Sequence, residues 1–508
     1  MLSHLDFLER NVEWRPSEPG LELVDAGETV TWAAFDDRVN RLATALADRG
    51  VRKGDRVAMV LFNTVEFPTT LYACYKIGAV PVPINFMLAT GNFRYIFDDV
   101  HPTVVVYDAE VAEAVEAAAT GAVSPPDLVC VGASPSGGDS YEAVFDSGRP
   151  EAPPRVALDP GDPSYVLYTS GTTGAPKGVT YSGRTAYSRA QEGVVCLGLA
   201  QDSVALQLSP WFHAGGVDLT VHPVVAAGST MVVTTDWEPG PAADTIEQYG
   251  VTHVVGVPTI AQRIANLEDV DERDLSTLEC LMCMGSPLSR QLAETLMESV
   301  TPNVYNGYGT SETLLDAVLR PEDLPEHAGT VGRPAPDMEV RVIEFDRSRT
   351  VLPDETVPPG EEGEIVVRGD PVMDYYFGSE SETRASLRGG WYYTDDLGVV
   401  DEDGYLTVTG RADDMILSGG ELVSPIEVEE TLEEHAAVEA ALVVGRPDEE
   451  WGEVVTAYVV GDIDAEELDR HCRESEGLAD FKRPREYEFV DDLERTATGK
   501  KQRYRYRD

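Results

Sequence analysis

Apolar and polar positions along the chain fall into two rhythms, one helical and one extended. Between Thr31 and Gly50, Phe35, Val39, Leu42, Ala43 and Leu46 recur every three or four residues, which predicts an amphipathic helix closed by Gly50. Strands are predicted at Arg56–Phe62, Val80–Ile84 and Thr103–Tyr107, with an apolar helix over Thr69–Gly78. Ala133–Pro163 is rich in Gly, Pro, Ser and Asp and is predicted to be a surface connection rather than a domain boundary. From Ser203 the rhythm resumes. Strands at Ser203–Leu208, Thr230–Thr235, Thr252–Val257, Glu279–Met284 and Asn303–Asn306 alternate with helical stretches. Strands separated by helices imply α/β layers around largely parallel sheets.

The pattern then changes. Glu339–Glu344 and Gly363–Arg368 come with turns and no long helix, as in a small β-subdomain. Tyr405–Gly410 reads as a strand, and Ser424-Pro425-Ile426-Glu427 as a capping box with proline at the first helical position. Asp464 with Glu467 repeats the box. Strands at Glu439–Val444, Val454–Val460 and Arg485–Val490 complete a small α+β unit. The predicted fold class is therefore α/β: a large N-terminal domain of layered sheets with a β-subdomain, followed by a small α+β C-terminal domain.

Charge narrows the partners. The 508 residues carry a net charge of −51, from 90 acidic against 39 basic side chains. Such a field repels nucleic acid and anionic membranes, and it repels any anionic substrate not met by local cations or metal. An apolar fraction of 42% argues against disorder. Acidic residues are spread along the whole chain, which suits a protein of a salt-loving organism, where salt screens self-repulsion. The N-terminus lacks a basic region followed by an apolar core, and no apolar run reaches membrane-spanning length. A cytoplasmic protein is expected; a homo-oligomer is compatible with the sequence. The cysteines are scattered, and Cys280 and Cys283, three apart in an apolar strand, point to opposite faces and read as structural.

The richest stretch for chemistry is YTSGTTGAPKGV, Tyr168–Val179. It follows the apolar run Tyr165–Leu167. Thr169, Ser170, Thr172 and Thr173 supply hydroxyls. Gly171, Gly174 and Gly178 let the backbone turn and approach a ligand, and Lys177 adds one cation. Lysine is scarce here: Lys53, Lys76, Lys177, Lys482, Lys500 and Lys501 are all there are. A flexible linker would also be small and polar, but would not follow a strand so tightly. The spacing is not that of a Walker loop, which needs glycine at 176 and Ser or Thr at 178, where this chain has Pro176 and Gly178.

A second signal is NGYGTSET, Asn306–Thr313, where a strand runs into two glycines, an aromatic and a carboxylate. Tyr308 is placed to stack on a purine and Glu312 to hold Mg²⁺ against phosphate oxygens. A strand-end turn with a solvated glutamate is the plainer alternative. In PWFHAGG, Pro210–Gly216, His213 sits between an aromatic and small residues.

These segments together resemble the adenylate-forming superfamily, which includes acyl-CoA synthetases, peptide-synthetase adenylation domains and firefly-type luciferases. The resemblance spans nearly the whole chain, with five motifs in the expected order. Tyr168–Val179 is similar to the family's phosphate loop. Asn306–Thr313 is similar to its adenine and metal segment, with Ser311 in place of threonine. That implies ATP contacts from Asn306, Gly307, Tyr308, Gly309, Thr310 and Ser311, and Mg²⁺ at Glu312. His213 matches a histidine near the substrate carboxylate and α-phosphate, where amino-acid-activating relatives carry an aspartate. GGWYYTDDLG, Gly389–Gly398, resembles the ribose segment, which implies sugar contacts from Asp396; Asp395 stands where the family usually has glycine. Arg411 is then expected at the ribose or phosphates.

The resemblance implies a hinge at residues 411–414, pivoting on Asp413, between a domain of residues 1–410 and a mobile domain of residues 415–508. Gly419 and Gly420 would line a pantetheine channel. Lys500, in RTATGKKQRYRYRD, matches the family's catalytic lysine, with Glu494 in place of a common proline. The implied reaction activates a carboxylic acid with ATP to an acyl-adenylate and pyrophosphate, then transfers the acyl group to CoA, with a carrier protein as the alternative acceptor. Trp211, Phe212, Val217, Met284 and Gly285 are expected to form an apolar acyl pocket, suited to fatty or aromatic acids. A nucleotide-binding regulatory protein with a dead site is the rival class, against which intact Glu312, Asp396 and Lys500 count.

Overall fold

The computed structural model describes residues 3–133, 138–169, 176–286, 288–346, 349–418, 421–448, 451–475, 478–495 and 501–507. The chain forms two compact units. The first comprises Met1–Gly329, Pro334–Glu339 and Arg368–Gly390; the second comprises Thr330–Arg333, Val340–Val367 and Trp391–Asp508.

In the first unit the helix expected from Thr31 covers Trp32–Asp48, with the Thr31 hydroxyl accepting the Ala34 N–H at 3.2 Å. Such a cap is worth about 1 kcal/mol. Gly50 lies just beyond the helix in the left-handed region, φ 98°. The apolar helix starts earlier than expected and covers Glu66–Ile77, and Gly78 closes it at φ 71°.

The strands build two sheets of the parallel type. One runs in the order Val80–Pro83, Arg56–Val60, Val104–Asp108, Asp127–Val131, Asp139–Ser140, all parallel. The other includes, in order, Ala317–Leu319, Val304–Tyr308, Cys280–Met284, His253–Gly256, Val204–Gln207, Thr230–Val233, Pro19–Leu23 and Glu28–Thr31; of the pairings between these eight, the first and last are antiparallel and the rest parallel. The near-continuous apolar runs follow from burial of parallel strands on both faces. Within this connection, residues 138–163 are more ordered than expected. They contribute the strand Asp139–Ser140 and a helix, Tyr141–Ser147, capped by Ser140, because Tyr141 and Val144 give it an apolar face to bury. Cys280 and Cys283 are buried thiols inside a parallel strand, and burial raises the thiol of Cys283 to about 12.

The second unit contains an antiparallel meander of Glu362–Gly369, Trp391–Val400 and Leu406–Arg411. Beyond it the hairpin Val438–Asp448/Gly452–Gly461 carries the helices Pro425–Glu433 and Ala465–Glu474 over a core of Ile416, Val423, Val428, Leu432, Val443, Val455 and Leu468. Asp464 caps its helix, accepting the Glu467 N–H at 2.9 Å. Ser424 does not cap its own. Its hydroxyl donates instead to the Thr409 carbonyl at 2.7 Å, since an accepting carbonyl lies within reach across the preceding strand. No helix among the described residues is long and apolar enough to cross a membrane.

Candidate active site

The site residues fall in both units, and each set has its own geometry. In the first unit, Pro163–Thr169 and Lys177–Ser182 pair antiparallel, with Thr169 opposite Lys177. The phosphate-loop residues Ser170, Gly171, Thr172, Thr173 and Gly174 lie outside the described residues; Thr169 and Lys177 are the flanking pair. Lys177 is the first residue of a return strand, which fixes the base of its side chain. Its ammonium pairs with Glu382 and lies 5.2 Å from the centre of the Tyr376 ring. A Cβ at Gly178 would stand 3.1 Å from Phe377 Cβ and from the Tyr168 ring, so a larger residue would crowd both.

Tyr376 connects this cation to the second motif. Its hydroxyl donates to Glu312 Oε1 at 2.8 Å, and the Met373 N–H donates to the Glu312 carbonyl at 2.7 Å. Glu312 is buried at 9% exposure. Asn306, Gly307 and Tyr308 end a strand between Cys280–Met284 and Ala317–Leu319. Beyond them the chain folds into a tight turn. The Thr310 N–H donates to Thr313 Oγ1 at 3.1 Å, Thr313 donates to Asp316 at 2.8 Å, and the Asp316 N–H returns to the Tyr308 carbonyl at 2.7 Å. At Gly309 a Cβ would stand 2.0 Å from the Leu314 carbonyl oxygen, so only glycine fits. This turn delivers Ser311 and Glu312 as a fixed pair.

His213 precedes the turn Ala214–Gly216, its ring 4.3 Å from that of Phe212. Phe212 meets Phe86 edge-on at 5.1 Å, and Phe86 meets Phe62 at 4.4 Å, so the histidine ends a row of aromatic rings. Phe62 and Phe86 were not singled out in the sequence. Trp211 is fully buried against Phe67, its backbone N–H held by Asn63. Val217 is buried as well, while half-buried Met284 comes within 3.5 Å of where a Gly215 Cβ would be. Gly285 follows it at φ 86°.

In the second unit Asp396 and Arg411 are cross-strand partners, and Arg411 Nη1 donates to Asp396 Oδ1 at 2.8 Å. Burial works against the Arg411 cation, but the charges of Asp396, Asp395 and Asp414 more than reverse this and raise its pKa. Asp395 holds φ 58°, the left-handed geometry a glycine takes without strain.

Asp413 lies in the short turn Ala412–Asp414, where Arg507 donates to the Asp413 carbonyl at 3.3 Å and to Asp414 at 2.7 Å. Gly419 and Gly420 lie outside the described residues, between the paired strands Ile416–Ser418 and Glu421–Val423. Lys500 also lies outside them. Its neighbour Lys501 bridges to Arg495 and places its ammonium on Glu429, Glu433 and the Ala441 carbonyl at 2.6–3.1 Å.

A model described as AMP-binding enzyme matches residues 8–377, and one described as AMP-binding enzyme C-terminal domain matches residues 427–500. The chain belongs to the AMP-binding enzyme family. It is 37% identical to a feruloyl-CoA synthase of Amycolatopsis over 93% of this chain and 92% of that protein. It is 33% identical to the indoleacetate–CoA ligase of Aromatoleum aromaticum over 97% and 96%. Among solved structures it resembles the o-succinylbenzoate CoA synthetase of Bacillus subtilis in complex with its acyl-adenylate intermediate, with a TM-score of 0.86 and 30% identity, covering 99% of this chain and 98% of that one.

Proposed function

We propose that the chain activates an aromatic carboxylic acid with ATP, giving an acyl-adenylate and pyrophosphate, and then passes the acyl group to CoA with release of AMP. It is an AMP-forming acid–CoA ligase. The observation that carries this reading is the Lys177–Tyr376–Glu312 arrangement. One tyrosine lies beneath a phosphate-loop cation and donates to a sheltered carboxylate.

A carboxylate needs no deprotonation at neutral pH; what opposes its attack on the α-phosphorus is the negative charge of ATP. Positioning and charge neutralisation therefore dominate. Lys177 leaves Glu382 for phosphate oxygens, and Tyr308 takes the adenine. Asp396 accepts the ribose hydroxyls, and Arg411, held against it, faces the sugar and phosphates. His213 orients the acid. Mg²⁺ fits Glu312, because it prefers one or two carboxylates with phosphate and water oxygens, and the Tyr376 hydroxyl fixes how this carboxylate points. When bound it neutralises triphosphate charge. Thr169, Ser170, Gly171, Thr172, Thr173 and Gly174 wrap the phosphates.

The aromatic row Phe62–Phe86–Phe212 leading to His213 supports a flat, apolar acid, as do relatives named for feruloyl and indoleacetate substrates. Residues 415–508, with their own core, act as the mobile domain on a hinge at Asp413, and Lys500 serves adenylation. Gly419 and Gly420 then line the pantetheine path. The net charge of −51 supports work in a salty cytoplasm. The test is a pyrophosphate-release screen over aryl and aliphatic acids at high salt, followed by thioester formation with free CoA. Release with aryl acids and thioester formation are expected; release without thioester would move the acceptor to another molecule.

A further inference from the structure

Beneath Glu312 lies a set of buried charges that the roles above leave unused. Asp218, on the helical turn Val217–Val221, is fully buried. Its carboxylate accepts from Arg189 Nε at 3.0 Å and Nη2 at 2.8 Å, from the Tyr165 hydroxyl at 2.5 Å, and from His222 Nδ1 at 3.0 Å. Burial alone would raise its pKa. The Arg189 charge and the donors from His222 and Tyr165 overcome that and hold it at about 2.

Arg189 is equally buried, and it reaches past Asp218 to two backbone segments. Its Nη1 donates to the Pro371 carbonyl at 3.0 Å and its Nη2 to the Ser311 carbonyl at 3.1 Å. Tyr181, whose ring centre lies 4.2 Å from the guanidinium carbon, donates to the same Ser311 carbonyl at 2.6 Å. Ser311 directly precedes Glu312. Pro371 leads into Met373 and Tyr376, the two residues that hold the Glu312 carbonyl and carboxylate. Both segments that grip Glu312 are thus tied to one guanidinium.

Stability is a weak account of such a pair, because replacing a buried ion pair by well-packed apolar residues often costs the fold nothing. A rigid planar fork that reaches one carboxylate and two carbonyls at once does account for it, and a lysine cannot reproduce it. We propose that Arg189, clamped by Asp218, is a positioning residue that sets Glu312 for ATP-linked metal binding by holding the Ser311 and Pro371 carbonyls. This rests on the reading of Glu312 given above.

The test is calorimetric binding of ATP with Mg²⁺ and with EDTA, with unfolding midpoints measured alongside. Wild type is expected to bind ATP more tightly with Mg²⁺, and Glu312→Gln to lose that effect. Arg189→Lys and the double variant Arg189→Met/Asp218→Leu are expected to lose about tenfold of it while binding in EDTA holds. The double variant is expected to keep more of its unfolding midpoint than Arg189→Met alone, since it leaves no buried charge unpaired. A folded Arg189 variant with the full Mg²⁺ effect would overturn the proposal and leave the reading of Glu312 standing. Should neither Arg189 variant fold, Tyr181→Phe, which removes a single hydroxyl, decides by a loss of about threefold or none. A full Mg²⁺ effect in Glu312→Gln overturns the reading itself, and the proposal with it.

Discussion

Two carboxylate–arginine pairs in this protein look alike on paper and differ in what surrounds them. Asp218–Arg189 lies in the first unit with both side chains at 0% exposure; Asp396–Arg411 lies in the second with side chains at 9% and 31%. The dry pair has all its bonds committed to protein groups, so it can hold structure and cannot be shared with a ligand. The wetter pair retains a face toward solvent, so it can give part of its hydrogen bonding to a nucleotide. Burial decides whether such a pair serves as a fixed support or as a contact.

The largest effect should come from breaking the dry pair by one member. Arg189→Met leaves the Asp218 charge buried without its cation and is expected to cost about 3–5 kcal/mol in denaturant unfolding. A loss below about 1 kcal/mol would erase the distinction between the pairs. Next is Lys500→Ala, expected to slow adenylation by about 10²–10³-fold while sparing thioester formation from preformed acyl-adenylate. Single-turnover assays of each half-reaction read this, and equal loss in both contradicts it. Asp413→Pro is expected to do the reverse, sparing adenylation and blocking transfer to CoA.

Asp396→Asn should move the other pair in the opposite sense, weakening ATP binding by about tenfold at a stability cost under about 1 kcal/mol. Calorimetry and unfolding measured on one preparation compare the two.

The smallest effect concerns pH. His4 and His222 stack at 3.8 Å, and burial lowers both pKa values, so both resist protonation in the folded state. The unfolded chain takes up their protons below the ordinary histidine value of about 6.5. Stability therefore falls as pH drops through that value. His4→Phe should remove one such proton, cutting the loss between pH 6.5 and pH 5.5 by about 1 kcal/mol. Unfolding curves at pH 6.5 and pH 5.5 with an unchanged slope would contradict this.

How much of this was legible in the sequence follows the same division. The parallel sheets were readable because their strands are apolar on both faces, and the turn at Gly309 because its glycines adjoin an aromatic and a carboxylate. Asp396 and Arg411 were legible only through family resemblance. Their cross-strand register is a long-range fact that no local pattern carries. Arg189, Tyr181, Tyr376 and Glu382 were missed because each looks like an ordinary residue in its own segment. Asp218 left one trace, a lone carboxylate in the apolar run VDLTVHPVV with His222 four residues on. Ser424 misled because a capping sequence says nothing about a competing carbonyl such as that of Thr409.

The most direct measurement is the nucleotide product formed with ATP, CoA and a panel of aryl acids at high salt. AMP and pyrophosphate in equal amounts, dependent on the acid and accompanied by acyl-CoA, is the predicted result. ADP with phosphate, or AMP formed without regard to any acid, would contradict the account.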